Sequence, residues 1–138
     1  MTEAWWAELV ASVKRHEGLR LKPYRDSVGL LTIGYGRNLD QVGITADEAE
    51  RMLEGDLRRA YYEAARLPGW DGLTPARQAV MVEMAYNLGY PRLLRFSQAL
   101  GAVEAGDYDE AARQMLASRW AAQVGLRATT LAEQMRKG

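Results

Sequence analysis

Apolar residues near the start of the chain recur with helical spacing. The positions on this face are Trp6, Leu9, Val10 and Val13. This i, i+3, i+4, i+7 pattern predicts a helix over residues 2–15. Of the adjacent Trp5 and Trp6 we expect one to anchor the core and the other to be partly exposed. Gly18 offers the left-handed cap that ends many helices, which places Glu17 at or just past the last turn.

The next segment, residues 22–38, has a different pattern. Asp26 and Gly29 occupy the first and fourth positions of a predicted type I turn. From residue 30 to 36 apolar and small residues alternate, which predicts a strand with one apolar face. The other face carries Thr32, Gly34 and Gly36 and is expected to be nearly bare, exposed backbone with one hydroxyl. Glycine inside a strand often marks a place where a ligand approaches the backbone closely.

The remainder of the chain is patterned as helices. Thr45 and Glu48 form a capping-box pair that begins a helix from 46 to about 66, a rod of about 30 Å. Thr74-Pro75 begins a second helix that runs to Leu88 and is apolar on most sides, as expected of a buried central helix. Three shorter helical segments follow: 91–100, one that begins at Asp107 and carries Trp120 on its face, and 127–136.

Composition narrows the functional classes. The 138 residues suffice for one domain, and the apolar (48%) and charged (26%) fractions are those of a globular protein. Without cysteine there is no disulfide or thiolate nucleophile, and a single histidine cannot build an imidazole metal cluster. Basic and acidic residues balance at 18 each, so bulk charge does not indicate a nucleic-acid partner. The segment 113–138 has five bases and one acid, a local net charge of +4 that favours long-range attraction of an anionic polymer.

Neither a membrane span nor a secretory signal is predicted. The apolar stretches are far shorter than the ~18 residues that a span needs. Residues 1–13 lack a basic start followed by an apolar core.

Two acids and a hydroxyl flank the predicted strand. Glu17 precedes it, Asp26 lies in its turn and Thr32 lies on its bare face. Two carboxylates beside exposed backbone are typical of glycoside hydrolysis, in which one acid protonates the leaving oxygen and the other stays ionised. The negative end of a helix macrodipole disfavours the anion at Glu17, whereas an exposed turn suits an ionised Asp26. On spacing alone this signal is modest, because many proteins have two acids near a strand.

A longer string of residues makes the interpretation specific. Residues 16–26 (HEGLRLKPYRD) followed by 31–36 (LTIGYG) resemble the active-site signature of bacteriophage T4-type lysozymes, which are peptidoglycan-cutting endolysins. The similarity continues in order through 44–50, through 86–89 and through 118–127. It covers about residues 10–130.

The resemblance implies roles for named residues. Glu17 takes the place of the general acid, and Asp26 and Thr32 position the attacking water or stabilise the oxocarbenium-like state. The implied reaction is inverting hydrolysis of the β-1,4 bond from N-acetylmuramic acid to N-acetylglucosamine, without metal or organic cofactor. The implied substrate contacts are Gly34, Gly36, Asn38, Tyr86, Asn87 and Leu88. Arg127 matches a family arginine near the catalytic glutamate.

The chain departs from the T4 pattern at two places. Arg37 stands where the T4 enzyme has a histidine that pairs with an aspartate, and Asp56 occupies that aspartate's place. We therefore expect an Arg37–Asp56 ion pair. The linker 38–43 is much shorter than in the T4 enzyme, so the sheet is expected to be only a hairpin.

The expected fold is a mainly helical α+β fold of the lysozyme kind, with residues 1–138 as one domain. A small β lobe spans about 17–44, a helix from about 46 to 66 joins the lobes, and the helical lobe comprises 1–15 and 60–138. A cleft between the lobes, gated by hinge motion, would hold the substrate.

The resemblance also implies partners and a place of action. The partner is bacterial cell-wall peptidoglycan, with no nucleic acid or membrane, and a monomer is expected. The protein would accumulate in the host cytoplasm and reach the wall after holin-type release.

Three other functions stay open at this point. A lytic transglycosylase needs only the acid and forms an anhydro product, so Asp26 and Thr32 argue against it. A catalytically inactive peptidoglycan-binding module would not need all three residues. A helical interaction protein leaves the glycine-rich strand unexplained.

Overall fold

Eight α-helices, one 3₁₀ turn and three short strands make up the chain, and the computed structural model describes all of residues 1–138. In chain order the elements are α1 (Glu3–Glu17), β1 (Arg20–Arg25), β2 (Leu31–Gly34), β3 (Arg37–Asn38), α2 (Ala46–Ala64), the 3₁₀ turn (Trp70–Gly72), α3 (Pro75–Leu88), α4 (Tyr90–Leu93), α5 (Ser97–Ala105), α6 (Tyr108–Leu116), α7 (Arg119–Val124) and α8 (Leu126–Lys137). The prediction of a mainly helical α+β fold is confirmed. The chain divides within α2 into two units, residues 1–50 and 51–138. The predicted lobe boundaries, with 1–15 in the helical lobe, stay a prediction.

The first unit contains a three-stranded antiparallel sheet in the order β1-β2-β3. The expectation of a hairpin alone is therefore wrong. Ile33 pairs with Arg37, so β3 needs only a three-residue turn to return along β2. Closing so short a loop costs little chain entropy, and a short 38–43 linker does not prevent it.

Helix α1 is bounded by local caps. The Thr2 hydroxyl accepts a hydrogen bond from Trp5 N at 3.1 Å, and Gly18 N donates to Lys14 O at 3.0 Å. No residue of α1 is buried, and Trp5 and Trp6 are 51% and 54% exposed. The expectation that one of them anchors the core is wrong, because the two rings lie beside each other, with centroids 6.2 Å apart, rather than among buried side chains.

The second unit holds the buried core. Helix α3 lies within it as predicted, with Val80, Met81 and Met84 at most 1% exposed. Its start is also as predicted, since the Thr74 hydroxyl accepts from Arg77 N at 3.2 Å with Pro75 at the first position. Helices α5, α6, α7 and α8 contribute the other large part of the core.

Two predicted segments are divided differently in the structure. Residues 91–100, expected as one helical piece, belong to α4 and α5, because the three residues 94–96 separate the two helices. Trp120 lies in α7 and not on the helix that begins at Asp107. The reason is a new cap: the Ser118 hydroxyl accepts from Ala121 N at 3.2 Å and begins α7.

None of the helices combines enough length with enough apolar character to cross a membrane.

Candidate active site

Glu17 is the last residue of α1, and its side chain is exposed. Its carboxylate lies against the bare backbone of Gly36, which has a φ of +86°. A Cβ atom placed on Gly36 would come within 2.7 Å of Glu17 Oε2 and 3.2 Å of Cδ. Any residue with a Cβ at position 36 would displace the Glu17 carboxylate, so only glycine allows the observed position.

Asp26 follows β1 and holds the turn to β2. Its Oδ1 accepts hydrogen bonds from Val28 N at 3.0 Å and from Leu30 N at 2.9 Å. Gly29 N donates to Asp26 O at 3.0 Å, which confirms the predicted turn. Because both of these hydrogen bonds are accepted by Oδ1, Oδ2 has no protein donor. It can accept a proton or a hydrogen bond from a water molecule.

Thr32 lies in β2, the central strand, where it pairs with Tyr24 of β1 and Asn38 of β3. It is only 4% exposed and is the one buried polar residue of the chain. The expectation that it lies on a bare, exposed face is therefore wrong, because in the central strand the Thr32 side chain has a paired residue on each side, Tyr24 and Asn38, on the same face of the sheet. Its hydroxyl donates to Leu30 O at 2.9 Å and keeps its oxygen lone pairs available as acceptors.

Leu30 connects the two groups through its backbone. Its amide donates to Asp26 Oδ1, and its carbonyl accepts from Thr32 Oγ1 and from Asp26 N, all at 2.9 Å. Leu30 was not predicted as a site residue, because main-chain atoms leave no signal in side-chain identity. One peptide segment thus fixes the direction of both Asp26 and Thr32.

Two further predicted residues lie in the same unit. Gly34 ends β2 with a φ of +71°, opposite Arg20. Asn38 Oδ1 accepts from Gln41 N at 3.1 Å, which fixes the amide and leaves its nitrogen as a free donor. Residues 17–38 therefore bring bare glycine backbone and an amide donor together in the first unit.

The expected Arg37–Asp56 ion pair is replaced by two others. Arg37 Nη1 lies 2.5 Å from Glu48 Oε1, and Asp56 Oδ1 accepts from Arg59 Nη2 at 3.1 Å. Glu48 lies in the first turn of α2, where it also accepts from Thr45 N at 2.9 Å in the predicted capping box. The hydrogen bond from Arg37, followed by that from Thr45 N, lowers the pKa of Glu48 to about 2, and the Glu48 carboxylate raises the pKa of Arg37.

The second unit contains the other predicted contacts. Tyr86 and Asn87 line a cavity of about 530 Å³, and Asn87 Oδ1 accepts from Trp120 Nε1 at 2.7 Å. Leu88 is 7% exposed, and its side chain packs in the core on the inner face of α3. The substrate contact predicted at Leu88 stays a prediction.

Arg127, the predicted supporting residue, lies near the start of α8. Its Nε donates to Glu83 Oε2 at 2.8 Å. Its predicted proximity to Glu17 stays a prediction.

The carboxyl groups of Glu17 and Asp26 in the first unit fit acid and base catalysis at an oxygen atom of a bound molecule. No group of three or more His, Cys, Asp or Glu side chains is arranged to hold a metal ion. An exposed carboxyl at Glu17 and a fixed carboxyl with one free oxygen at Asp26 can, respectively, give and accept a proton.

Comparison with known proteins points the same way. The sequence profile of the family described as Phage lysozyme matches residues 14–137. The chain is 30% identical to the pre-baseplate central spike protein Gp5 of Enterobacteria phage T4, over 85% of this chain and 25% of that protein. It is 27% identical to probable T4-type lysozyme 1 of Dictyostelium discoideum, over 78% of this chain and 81% of that protein. It is 30% identical to the endolysin of Acyrthosiphon pisum secondary endosymbiont phage 1, over 75% and 72% respectively. The chain thus spans about a quarter of the spike protein and most of the other two.

Proposed function

The chain belongs to the phage lysozyme family, and we propose that it is an endolysin that hydrolyses the β-1,4 bond between N-acetylmuramic acid and N-acetylglucosamine in peptidoglycan. The observation that carries the proposal is the arrangement of residues 17–36. Glu17 lies against bare backbone at Gly36, while Leu30 holds Asp26 and Thr32 in one place.

The reaction follows from the roles that these groups can take. Protonated Glu17 donates its proton to the glycosidic oxygen as the bond from that oxygen to the anomeric carbon breaks. A water attacks the anomeric carbon from the opposite side and transfers its proton to Asp26 Oδ2. The products are two shorter glycans, one of them with a reducing muramic-acid end, and solvent exchange returns the proton to Glu17.

The hydrogen bonds at Leu30 support the assignment of the water site. Asp26 Oδ1 accepts from two backbone amides, so Oδ2 is left as a free acceptor. The Thr32 hydroxyl donates to Leu30 O and can accept a hydrogen bond from a water. Both groups are fixed before substrate binds, which reduces the cost of orienting the water.

Gly34, Gly36 and Asn38 are the proposed sugar contacts of the first unit. Tyr86, Asn87 and Leu88 stay predicted contacts from the sequence resemblance. The proposed partner is the bacterial wall, reached by a monomer after holin-type release from the host cytoplasm, with bacterial lysis as the outcome. No nucleic acid, membrane or cofactor enters the proposal.

Digestion of purified peptidoglycan, with the released fragments measured by mass spectrometry, tests the function. Hydrated fragments with reducing muramic-acid ends are expected. Fragments lighter by one water would assign the chain to the transglycosylases. Binding to the wall without release would favour an inactive binding module. NMR of the first-formed anomer tests the stereochemistry, since inversion of a β-linked substrate yields the α-anomer.

Glu17→Gln tests the assignment of the acid. The amide is close in shape to the carboxyl but has no acidic proton, so turnover should be abolished while the circular dichroism spectrum and the Tm stay near those of the wild type. Lysis by this variant at a rate close to wild type would contradict the role of Glu17.

A further inference from the structure

The turn of residues 34–36, between β2 and β3, contacts α1 at two points. Gly36 lies against the Glu17 carboxylate, and Lys14 Nζ lies 5.5 Å from the centroid of the Tyr35 ring. Lys14 and Glu17 are three residues apart and therefore on one face of the helix. Residues 34–36 thus lie along the C-terminal end of α1, and Gly36 contacts the candidate acid, Glu17.

The end of this turn is also tied to the start of α2. Arg37 follows Gly36 directly and closes the turn by pairing with Ile33. Its Nη1 donates to Glu48 Oε1 at 2.5 Å and to Gly43 O at 3.3 Å. Glu48 itself is fixed by the capping box with Thr45, so the partner of Arg37 has a defined position.

We propose that the Arg37–Glu48 ion pair is a positioning element that holds Gly36 against the Glu17 carboxylate and so sets the direction in which Glu17 presents its proton. This inference rests on the proposed function, because it assigns Glu17 the acid's role. Arg37 and Glu48 are positioning residues and touch no reacting atom.

The energetics of the pair favour positioning over stabilisation. The Arg37 and Glu48 side chains are 37% and 28% exposed, and partly exposed pairs contribute little to the free energy of unfolding. The acid's placement is far more sensitive, because a displacement of about 1 Å at a catalytic group can cost about 100-fold in rate. Loss of the pair should therefore change catalysis more than folding.

The experiment compares kcat and KM on soluble peptidoglycan fragments for the wild type, Arg37→Met, Arg37→Lys and Glu48→Gln. The control is Glu133→Gln in α8, because Arg136 and then Lys137 lower the pKa of Glu133 to about 2, as Arg37 and then Thr45 do for Glu48. Glutamine at 48 can still accept from Thr45 N, so the helix cap is kept.

We expect Arg37→Met to lower kcat by about 10- to 100-fold with KM and Tm close to wild type. Arg37→Lys should recover part of that loss, and Glu133→Gln should match the wild type. The double variant Arg37→Met/Glu48→Gln should be no slower than Arg37→Met, because both changes remove one interaction.

An NMR titration gives a second readout that does not depend on turnover. The Gly36 amide resonance should shift as Glu17 ionises, a response that Glu17→Gln identifies by abolishing it. Arg37→Met should reduce this response if the pair holds Gly36 in place. If the wild type releases no peptidoglycan fragments, the proposed function fails and this titration alone decides the positioning role.

Wild-type kcat together with an unchanged Gly36 response in a folded Arg37→Met variant would overturn the inference. Equal kcat losses in Arg37→Met and Glu133→Gln would also overturn it, because they would show a general effect of removing surface ion pairs.

Discussion

Replacing Gly36 by alanine is the most direct test of the active-site geometry. The new Cβ would lie 2.7 Å from Glu17 Oε2, whereas ordinary contacts between carbon-sized atoms begin at about 3.5 Å. The carboxylate therefore has to move by about 0.8 Å, or the turn has to shift by the same amount. The φ of +86° adds a backbone penalty of about 1–2 kcal/mol for any residue with a Cβ.

The expected loss in kcat is larger than the expected loss of folding stability. A displacement of about 0.8 Å at the acid should lower kcat by about 100-fold, equivalent to about 2.7 kcal/mol in the activation free energy. The loss of folding stability should be limited to the backbone penalty. Gly106→Ala is the matched control, because Gly106 also has a positive φ, +76°, but a Cβ there would meet no atom within 4 Å.

The assay is the rate of release of reducing ends from peptidoglycan, measured well below the Tm of each variant. Both alanine variants should lose similar stability in urea denaturation, and only Gly36→Ala should lose activity. A folded Gly36→Ala variant with near wild-type kcat would refute the reasoning, because it would show that the carboxylate does not need its place against residue 36.

Two further predictions concern the second unit. Asn87→Ala leaves the Nε1 hydrogen of the buried Trp120 without its acceptor and should lower the free energy of unfolding by about 1–3 kcal/mol. Asn87→Asp keeps an acceptor oxygen at this position and should lower it less. Equal losses for the two variants in urea denaturation would contradict this prediction. The lowered pKa of Glu133, about 2 against 4.5, means that its ion pairs with Arg136 and Lys137 stabilise the protein above about pH 4.5 and lose that contribution as the pH falls towards 2. The difference in Tm between the wild type and Glu133→Gln should therefore be constant above pH 5 and shrink below it, and a constant difference down to pH 2 would be inconsistent with the pairs.

Local features of the fold were predictable because they depend on residues close in sequence. The capping box of Thr45 and Glu48, the Pro75 start of α3 and the turn after Asp26 each need only side chains within four positions. The periodicity of α3 likewise identified the helix that the core surrounds. Such short-range rules fix where elements begin and end.

Site residues were predictable to a smaller extent. The string around Glu17, Asp26 and Thr32 resembles a known family and so nominated all three. Two features of the site could not be predicted from the sequence. The contact of the Glu17 carboxylate with Gly36 joins residues 19 positions apart, and the link from Asp26 to Thr32 runs through backbone atoms of Leu30.

By itself the sequence determined the mainly helical class, most helix boundaries and the family, since periodicity, caps and a specific motif are all local. Tertiary structure alone decided that a third strand makes β2 the central strand, that Thr32 is buried there, and that Leu88 faces the core. It also decided that Arg37 pairs with Glu48 and not with Asp56. Asp56 and Glu48 lie on one helix and carry the same charge, so composition does not distinguish them as partners. The choice follows from where the turn of residues 34–36 brings Arg37, and that position is set by strand pairing between residues distant from the ion pair.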